Sequence, residues 1–247
     1  MTIQWEWQRK VEALIAPHGG RRWWDSAKQA AREALAGKDK PVVLEAGCGT
    51  DCWIVRMLRE EGIPMHIVGF DIDPDCVRNK DVDEVSVASI YQIPRESGSV
   101  DLALSGFVLE HLEDPQMALN ELHRVLKPGG TVVFWTPNLL NPVMMLSSVT
   151  STRFHVMLRR LTWGAEGADN VPTYYKINTI GKIKRYAAEA GFECAYTDTF
   201  SSAYQYFRMS KPTYLLACIL NKPAAIWPLN RLRLTLLCVL RKPGTDN

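Results

Sequence analysis

The sequence predicts an α/β domain built on a doubly wound, mostly parallel sheet of seven strands. Three observations predict it. From residue 41 onward, short apolar runs alternate with stretches of helical periodicity, the pattern of strands joined by crossover helices. A chain of 247 residues, 47% of them hydrophobic, is long enough to bury one sizeable core. No internal repeat or low-complexity tract interrupts it, so a single domain with elaborations is expected.

The elements follow in order. Val42 to Ala46 is an apolar run that predicts the first strand, and Trp53 to Glu61 the helix after it. His66 to Asp71 is the second predicted strand. Asp73 offers an N-cap and Pro74 a first-turn residue for a helix predicted over Pro74 to Lys80. Val85 to Ala88 and Val100 to Leu104 read as strands three and four. Met117, Ala118, Leu122, Val125 and Leu126 give the apolar positions of a helix predicted over Pro115 to Leu126, closed by the stop signal Lys127, Pro128, Gly129, Gly130. Thr131 to Thr136 is strand five, Asn178 to Ala190 a helix ended at Gly191, and Phe192 to Thr199 strand six. The long final run Leu232 to Leu240 supplies a seventh strand, expected antiparallel.

Two stretches break this rhythm. Residues 137–177 and 200–231 are each too long for ordinary connections, and both leave the C-terminal end of a strand, the edge at which open α/β sheets bind ligands. They are the candidate walls of a substrate chamber. Ahead of the sheet, Trp5, Trp7, Trp23 and Trp24 precede a helical pattern from Asp25 to Leu35.

Composition narrows the function classes. The net charge of +2 hides an acidic middle, since residues 41–135 carry 16 acidic and 7 basic side chains, which disfavours a nucleic-acid groove. Residues 200–247 carry 7 basic and 1 acidic side chain, a surface suited to an anionic substrate or lipid head groups. The six cysteines form no C-x-x-C pair and no zinc-ligand cluster, so reduced, mostly buried thiols in a cytoplasmic protein are expected. No stretch reads as a signal peptide or reaches 18 apolar residues, so at most peripheral membrane contact is expected.

The nine residues VLEAGCGTD, 43–51, carry the sharpest signal. Gly47 and Gly49 follow a strand and precede a helix, so the backbone can turn sharply and pass close to a ligand with no Cβ in the way. Dinucleotide-binding turns add a third glycine over a helix N-terminus that holds a pyrophosphate. Here Asp51 stands nearby, and its carboxylate suits a ligand with a cationic part. Asp71 closes the second strand 24 positions after Gly47, where a carboxylate can accept both ribose hydroxyls of a nucleoside.

With VGFDIDP, DLALSGFVLEHLEDPQMALNELHRVLKPGG and VVFWTPN, this stretch resembles the class I S-adenosylmethionine-dependent methyltransferases, in particular the branch with ubiquinone and menaquinone biosynthesis enzymes. The resemblance covers residues 41–138, and residues 176–199 look like that family's next helix and sixth strand. It implies a Rossmann-like fold whose helical insertions form a lid, and S-adenosyl-L-methionine as cofactor. By the same resemblance Glu45, Gly47 and Gly49 line the methionine and ribose portion, Asp71 holds the ribose hydroxyls and Ile72 packs on the adenine. Ser89 and the backbone at Ile90 meet the adenine amino edge, and Ser105, Gly106 and Phe107 border the methionine moiety and the methyl group. Asp51 replaces the usual third glycine and Ser89 an acid. The implied plan is an N-terminal helical lid (1–40), a cofactor-binding core (41–138) and substrate-chamber insertions (139–175 and 200–231).

Methyl transfer from a sulfonium is an in-line displacement, so positioning and exclusion of water come first, and a general base is needed only for a weak or protonated nucleophile. His111, just beyond strand four, is the candidate base, with support of its loop as the alternative. Tyr174 and Tyr175 end the first insertion and are candidates to close over an acceptor, with core packing as the alternative. Phe107 stands where some quinone-pathway relatives carry a further Glu, so no metal site is expected. The expected function is methyl transfer to a small, apolar or aromatic metabolite by a monomer or homodimer. Cyclisation or elimination on the same cofactor scaffold, or cofactor binding without turnover, are the other readings.

Overall fold

The computed structural model describes residues 23–142, 144, 145, 171–201 and 211–244. In chain order these form α1 (Trp23–Leu35), β1 (Val42–Ala46), α2 (Trp53–Glu60), β2 (His66–Asp71), β3 (Glu84–Val87), β4 (Val100–Gly106), α3 (Pro115–Val125), β5 (Leu126–Pro137), α4 (Ile180–Glu189), β6 (Glu193–Phe200), α5 (Lys211–Asn221) and β7 (Thr235–Arg241). The strands make one seven-stranded sheet in the order β3-β2-β1-β4-β5-β7-β6. β1 pairs in parallel with β2 and β4, β2 with β3, and β4 with β5. β7 runs the other way, because Lys242 exchanges two backbone hydrogen bonds with Gly129 and Gly130 at the start of β5, while Asn138 just past its end donates to the Leu234 carbonyl. The α/β class, the seven strands and the antiparallel last strand are as the sequence predicts. The order reverses between β1 and β4, which makes their C-terminal ends the place where this architecture leaves a crevice.

β1 and β4 are almost continuously apolar and buried along their length, as strands covered on both faces require. α1 buries Ala27, Ala31 and Leu35, four residues apart, and its half-buried Lys28 and Arg32 hold Glu61 just beyond α2. The start of β4 is fixed by Asp101, whose carboxylate accepts from the Val42 amide at 2.9 Å, Lys127 at 2.7 Å and Lys38 at 3.2 Å.

Several boundaries differ from expectation for identifiable reasons. The segment predicted as a helix over Pro74 to Lys80 is a 3-10 turn, Pro74–Arg78, which Asp73 caps through the Asp75 amide. Lys127 to Gly130 is not a loop but the opening of β5, since Leu126 already pairs with Val100 and the two glycines with Lys242. β4 continues through Gly106. α4 starts at Ile180 because Thr179 caps it through the Lys182 amide. Within the final apolar run Leu232 still closes a 3-10 turn, Leu229–Leu232, and β7 starts only at Thr235.

The chain divides into two compact units. The larger comprises residues 24–136, 174–198 and 237–244 and contains the sheet edge with the crevice. The smaller, in its described residues, comprises 23, 137–142, 144, 145, 171–173, 199–201 and 211–236. Within the smaller unit, Asn138 donates to the carbonyls of Arg231 and Arg233 at 2.8 and 2.7 Å, and Asn141 to that of Leu232 at 2.7 Å. The buried Arg233 guanidinium donates to the carbonyls of Ala224 and Thr199. Residues 1–22, most of the first insertion and residues 202–210 lie outside the described residues, so the expected lid and the first chamber wall are described only at their edges, whereas residues 211–231 of the second are described.

Candidate functional site

β1 and β4 each leave the sheet through glycine, and a side chain at either glycine would collide with a neighbour. Gly47 has φ +81°, and its amide and that of Cys48 both donate to the Phe70 carbonyl at 2.9 and 3.0 Å, folding the chain back over β2. A Cβ on Gly47 would lie 2.2 Å from Val108 Cγ2, and one on Gly106 would lie 2.4 Å from Trp135 Cζ2. Between these close approaches is a cleft of about 200 Å³. Glu45, Gly47, Asp51 and Trp53 line one side, and Gly106, Phe107 and Trp135 line the other. The aromatic wall is extended by Trp24, whose ring meets that of Trp53 edge-on at 6.1 Å.

The loop is braced from below. Asp71 accepts from the Gly49 amide through one carboxylate oxygen and from the Asp73 amide through the other, each at 2.9 Å. Its oxygens retain lone pairs for a diol, so the residue fixes the turn as well as presenting acceptors. Asn79 is buried and donates to the carbonyls of Cys48 and Gly49 at 2.9 and 3.1 Å. Asp81 accepts from the Cys52 amide at the start of α2 and from Nε and Nη2 of Arg56, which holds its carboxyl below the usual range. Asp51 also pairs with Arg56. Two carboxylates thus share one guanidinium, and the trio keeps a net charge of −1.

Glu45 stands apart from these pairs. It is 6% exposed, lines the cleft, and receives no hydrogen bond from a protein donor among the described residues. Burial, then the nearby Cys48 thiol and Asp81 carboxylate, push its pKa up to about 8. A buried carboxyl with no protein cation beside it is held neutral, and a cationic ligand would favour its ionised form.

The other residues singled out from sequence distribute unevenly. Ile72 is 61% exposed at the end of β2, Ile90 is buried, and the Ser89 hydroxyl accepts from the Tyr91 amide at 3.2 Å. None of the three is on the cleft wall. Ser105 is fully buried and donates to the Ala46 carbonyl at 3.0 Å, tying β4 to β1; its neighbours Gly106 and Phe107 line the cleft instead.

Beyond β4 the chain makes the 3-10 turn Leu109–His111, and this turn gathers the candidate catalytic residues. The Glu110 carbonyl accepts the amides of Tyr174 and Tyr175 at 2.8 and 3.1 Å, so both tyrosines join the turn that carries His111. The Glu110 side chain is buried, accepts from Thr136 at 2.8 Å, and Asn178 donates in turn to Thr136 at 2.7 Å. Burial outweighs these bonds and lifts its pKa to about 7. The Tyr174 hydroxyl donates to Glu113, which raises its pKa and keeps it protonated. The Tyr91 hydroxyl accepts the amides of Glu113 and Asp114 at 2.8 and 3.1 Å.

Sequence reading missed Trp53 and Trp135 as cleft residues and Asn79, Thr136 and Asn178 as braces. Trp135 had a signal, its place in VVFWTPN. The asparagines had none, since a buried amide holding carbonyls is visible only once the loops are folded.

Residues 44–134 match the family model described as a methyltransferase domain. A malonyl-[acyl-carrier protein] O-methyltransferase of Serratia marcescens is 34% identical over 98 residues, covering 38% of this chain and 37% of that protein. A demethylmenaquinone methyltransferase of Listeria welshimeri is 33% identical over 97 residues, covering 36% of this chain and 41% of that protein. The chain thus spans well under half the length of these curated relatives. In fold it is similar to the geranyl diphosphate C-methyltransferase of Streptomyces coelicolor in complex with Mg²⁺, geranyl diphosphate and S-adenosyl-L-homocysteine, with a TM-score of 0.56, 14% identity, and coverage of 98% of this chain and 86% of that one.

Proposed function

Because residues 44–134 match a methyltransferase-domain model, we propose that this chain is a class I S-adenosylmethionine-dependent methyltransferase that transfers a methyl group from S-adenosyl-L-methionine to a small, apolar or aromatic acceptor by in-line displacement. The observation that carries the reading is Glu45, a buried, unpartnered carboxylate on the cleft wall, for which the ammonium of the cofactor's amino-acid end is a fitting partner. Gly47 and Gly49 let the backbone approach that ligand, Asp71 accepts from its ribose hydroxyls, and Ile72, Ser89 and Ile90 serve the adenine. When bound, the cofactor supplies an electrophilic methyl on a sulfonium, already a good leaving group. The chain's own part is to position, to exclude water and, where the acceptor requires it, to take a proton.

An apolar acceptor is supported by the aromatic wall of Trp53, Phe107 and Trp135 and by the similarity to a methyltransferase of demethylmenaquinone. The acidic core fits a protein without a nucleic-acid partner, and the six free cysteines fit a cytoplasmic setting. Incubating the purified protein with methyl-labelled cofactor and a panel of quinones, phenols and terpenoids tests the reading. Label transferred to one of these classes supports it, and transfer only to charged or macromolecular acceptors contradicts it.

Two variants probe the roles. Asp71→Ala is expected to weaken S-adenosyl-L-homocysteine binding by about 1–3 kcal/mol, the range for losing charge-assisted hydrogen bonds, with calorimetry as the measurement. An unchanged dissociation constant would assign the ribose to another residue. His111 is given the role of general base because it sits in the turn directly after β4, while the Tyr174 hydroxyl is already held by Glu113. His111→Ala is expected to lower turnover by about 10²- to 10⁴-fold and leave cofactor affinity nearly intact. A modest, parallel loss of both would make it a support of its loop.

A further inference from the structure

The smaller unit carries an exposed apolar surface that contributes no residue to the cleft. α5 is apolar on opposite sides. Tyr214 and Cys218, four residues apart, are fully buried, whereas Leu215, Leu216 and Ile219 are exposed. A helix packed on one side normally turns polar residues to water. The chain then passes through the 3-10 turns Lys222–Ala225 and Leu229–Leu232, which pack in succession against α5 and each other. Between them Ile226 is 66% and Trp227 73% exposed, with Leu229 also exposed. Holding a tryptophan and an isoleucine in water at a rigid turn gains nothing for folding.

Charge identifies the partner. From residue 199 to residue 245 the sequence has seven Lys and Arg and not one Asp or Glu, and exposed Lys222 and Arg231 flank the apolar residues. An amphipathic element with an indole at its tip and cations at its rim matches the bilayer interface, where aromatic rings sit at head-group level and basic side chains meet anionic lipids. A symmetric contact with a second copy would bring these like charges together, which opposes association. No helix among the described residues is long and apolar enough to cross a membrane, and α5 has only 11 residues.

We propose that Leu215, Leu216, Ile219, Ile226, Trp227 and Leu229, with Lys222 and Arg231 at the rim, form a surface that docks the protein on an anionic lipid bilayer. It lies in the interface plane, with apolar contact giving affinity and the cations selecting the lipid.

The test is co-sedimentation of the full chain with vesicles of phosphatidylcholine alone and of phosphatidylcholine with phosphatidylglycerol. The wild type is expected to pellet with the anionic vesicles and to be partly released by salt. The double variant Ile226→Ser/Trp227→Ser and the double variant Lys222→Glu/Arg231→Glu are each expected to lower the partition by about tenfold or more. Both alter exposed side chains, so thermal unfolding and cofactor binding should stay at wild-type values, and this separates loss of docking from loss of fold. Absence of vesicle binding by the wild type, or an unchanged partition for the serine variant, would overturn the proposal. So would a wild-type dimer in sedimentation velocity that the serine variant abolishes, because the surface would then belong to a second copy.

Discussion

Gly47→Ala is expected to reduce cofactor affinity by about 100-fold or more, the largest loss foreseen for one added methyl group. Two costs combine. At φ +81° an L-residue pays about 1–2 kcal/mol for the left-handed conformation, and the new Cβ would sit 2.2 Å from Val108 Cγ2. That overlap must be relieved by moving either the loop or the turn of Leu109–His111, and overpacking of this kind costs about 1–3 kcal/mol more. Because the Gly47 and Cys48 amides hang from one carbonyl, that of Phe70, a shifted loop also misplaces the Gly49 amide and with it Asp71. Calorimetry with S-adenosyl-L-homocysteine measures the loss. Adding Val108→Ala removes the clashing methyl and should restore the steric part, leaving the conformational part. No recovery in the double variant would mean that the clash is not what the glycine avoids.

Glu45→Gln is expected to weaken cofactor binding by about 10²-fold at pH 8 and to flatten its pH dependence. The sign follows from the raised pKa. Below about 8 the unliganded carboxyl is mostly protonated, and the ligand's cation prefers the ionised form, so binding expels a proton. Wild-type affinity should therefore rise by about tenfold per pH unit from pH 6 toward 8 and then level, and the Gln variant should show little of this rise. The two affinities should converge toward pH 6, where both side chains are neutral. The opposite trend governs the empty protein. A carboxyl whose folded pKa is raised from 4.5 to about 8 favours folding below 4.5, and that contribution is lost as pH rises through about 8. Glu110, raised to about 7 by burial, adds to the same loss. Glu45→Gln should therefore make the cofactor-free protein more resistant to heat at pH 8, even as it binds worse. A variant that bound and melted like the wild type at both pH values would remove Glu45 from the site.

What was legible in the sequence was whatever depends on local pattern. The strands β1 and β4 could be read because a parallel strand buried on both faces is a bare apolar run, and Gly47 because a sharp turn restricts the residue type. Lys127 to Gly130 reads as a stop signal because Pro and two glycines end helices far more often than they open strands. Only the pairing of Leu126 with Val100 and of the two glycines with Lys242 makes it β5. Ser105 sits in the motif that borders the cleft, yet strand alternation turns its hydroxyl to Ala46 and leaves Gly106 and Phe107 on the wall. Asp51 looked like a free acid facing a ligand, but five residues on, Arg56 reaches back to it as well as to Asp81, a partnership set by the first turn of α2. Glu45 lies on the cleft wall, and its chemical distinction, burial with no partner among the described residues, belongs to the fold.

The claim that Glu45 receives the cationic end of the cofactor is tested most directly by titrating S-adenosyl-L-homocysteine into the full chain at pH 7 in two buffers of different ionisation enthalpy. The difference in observed heat counts protons. Binding at one site with release of about one proton is expected, and the release should disappear in Glu45→Gln. Absence of binding, or binding with no proton released by the wild type, would contradict it.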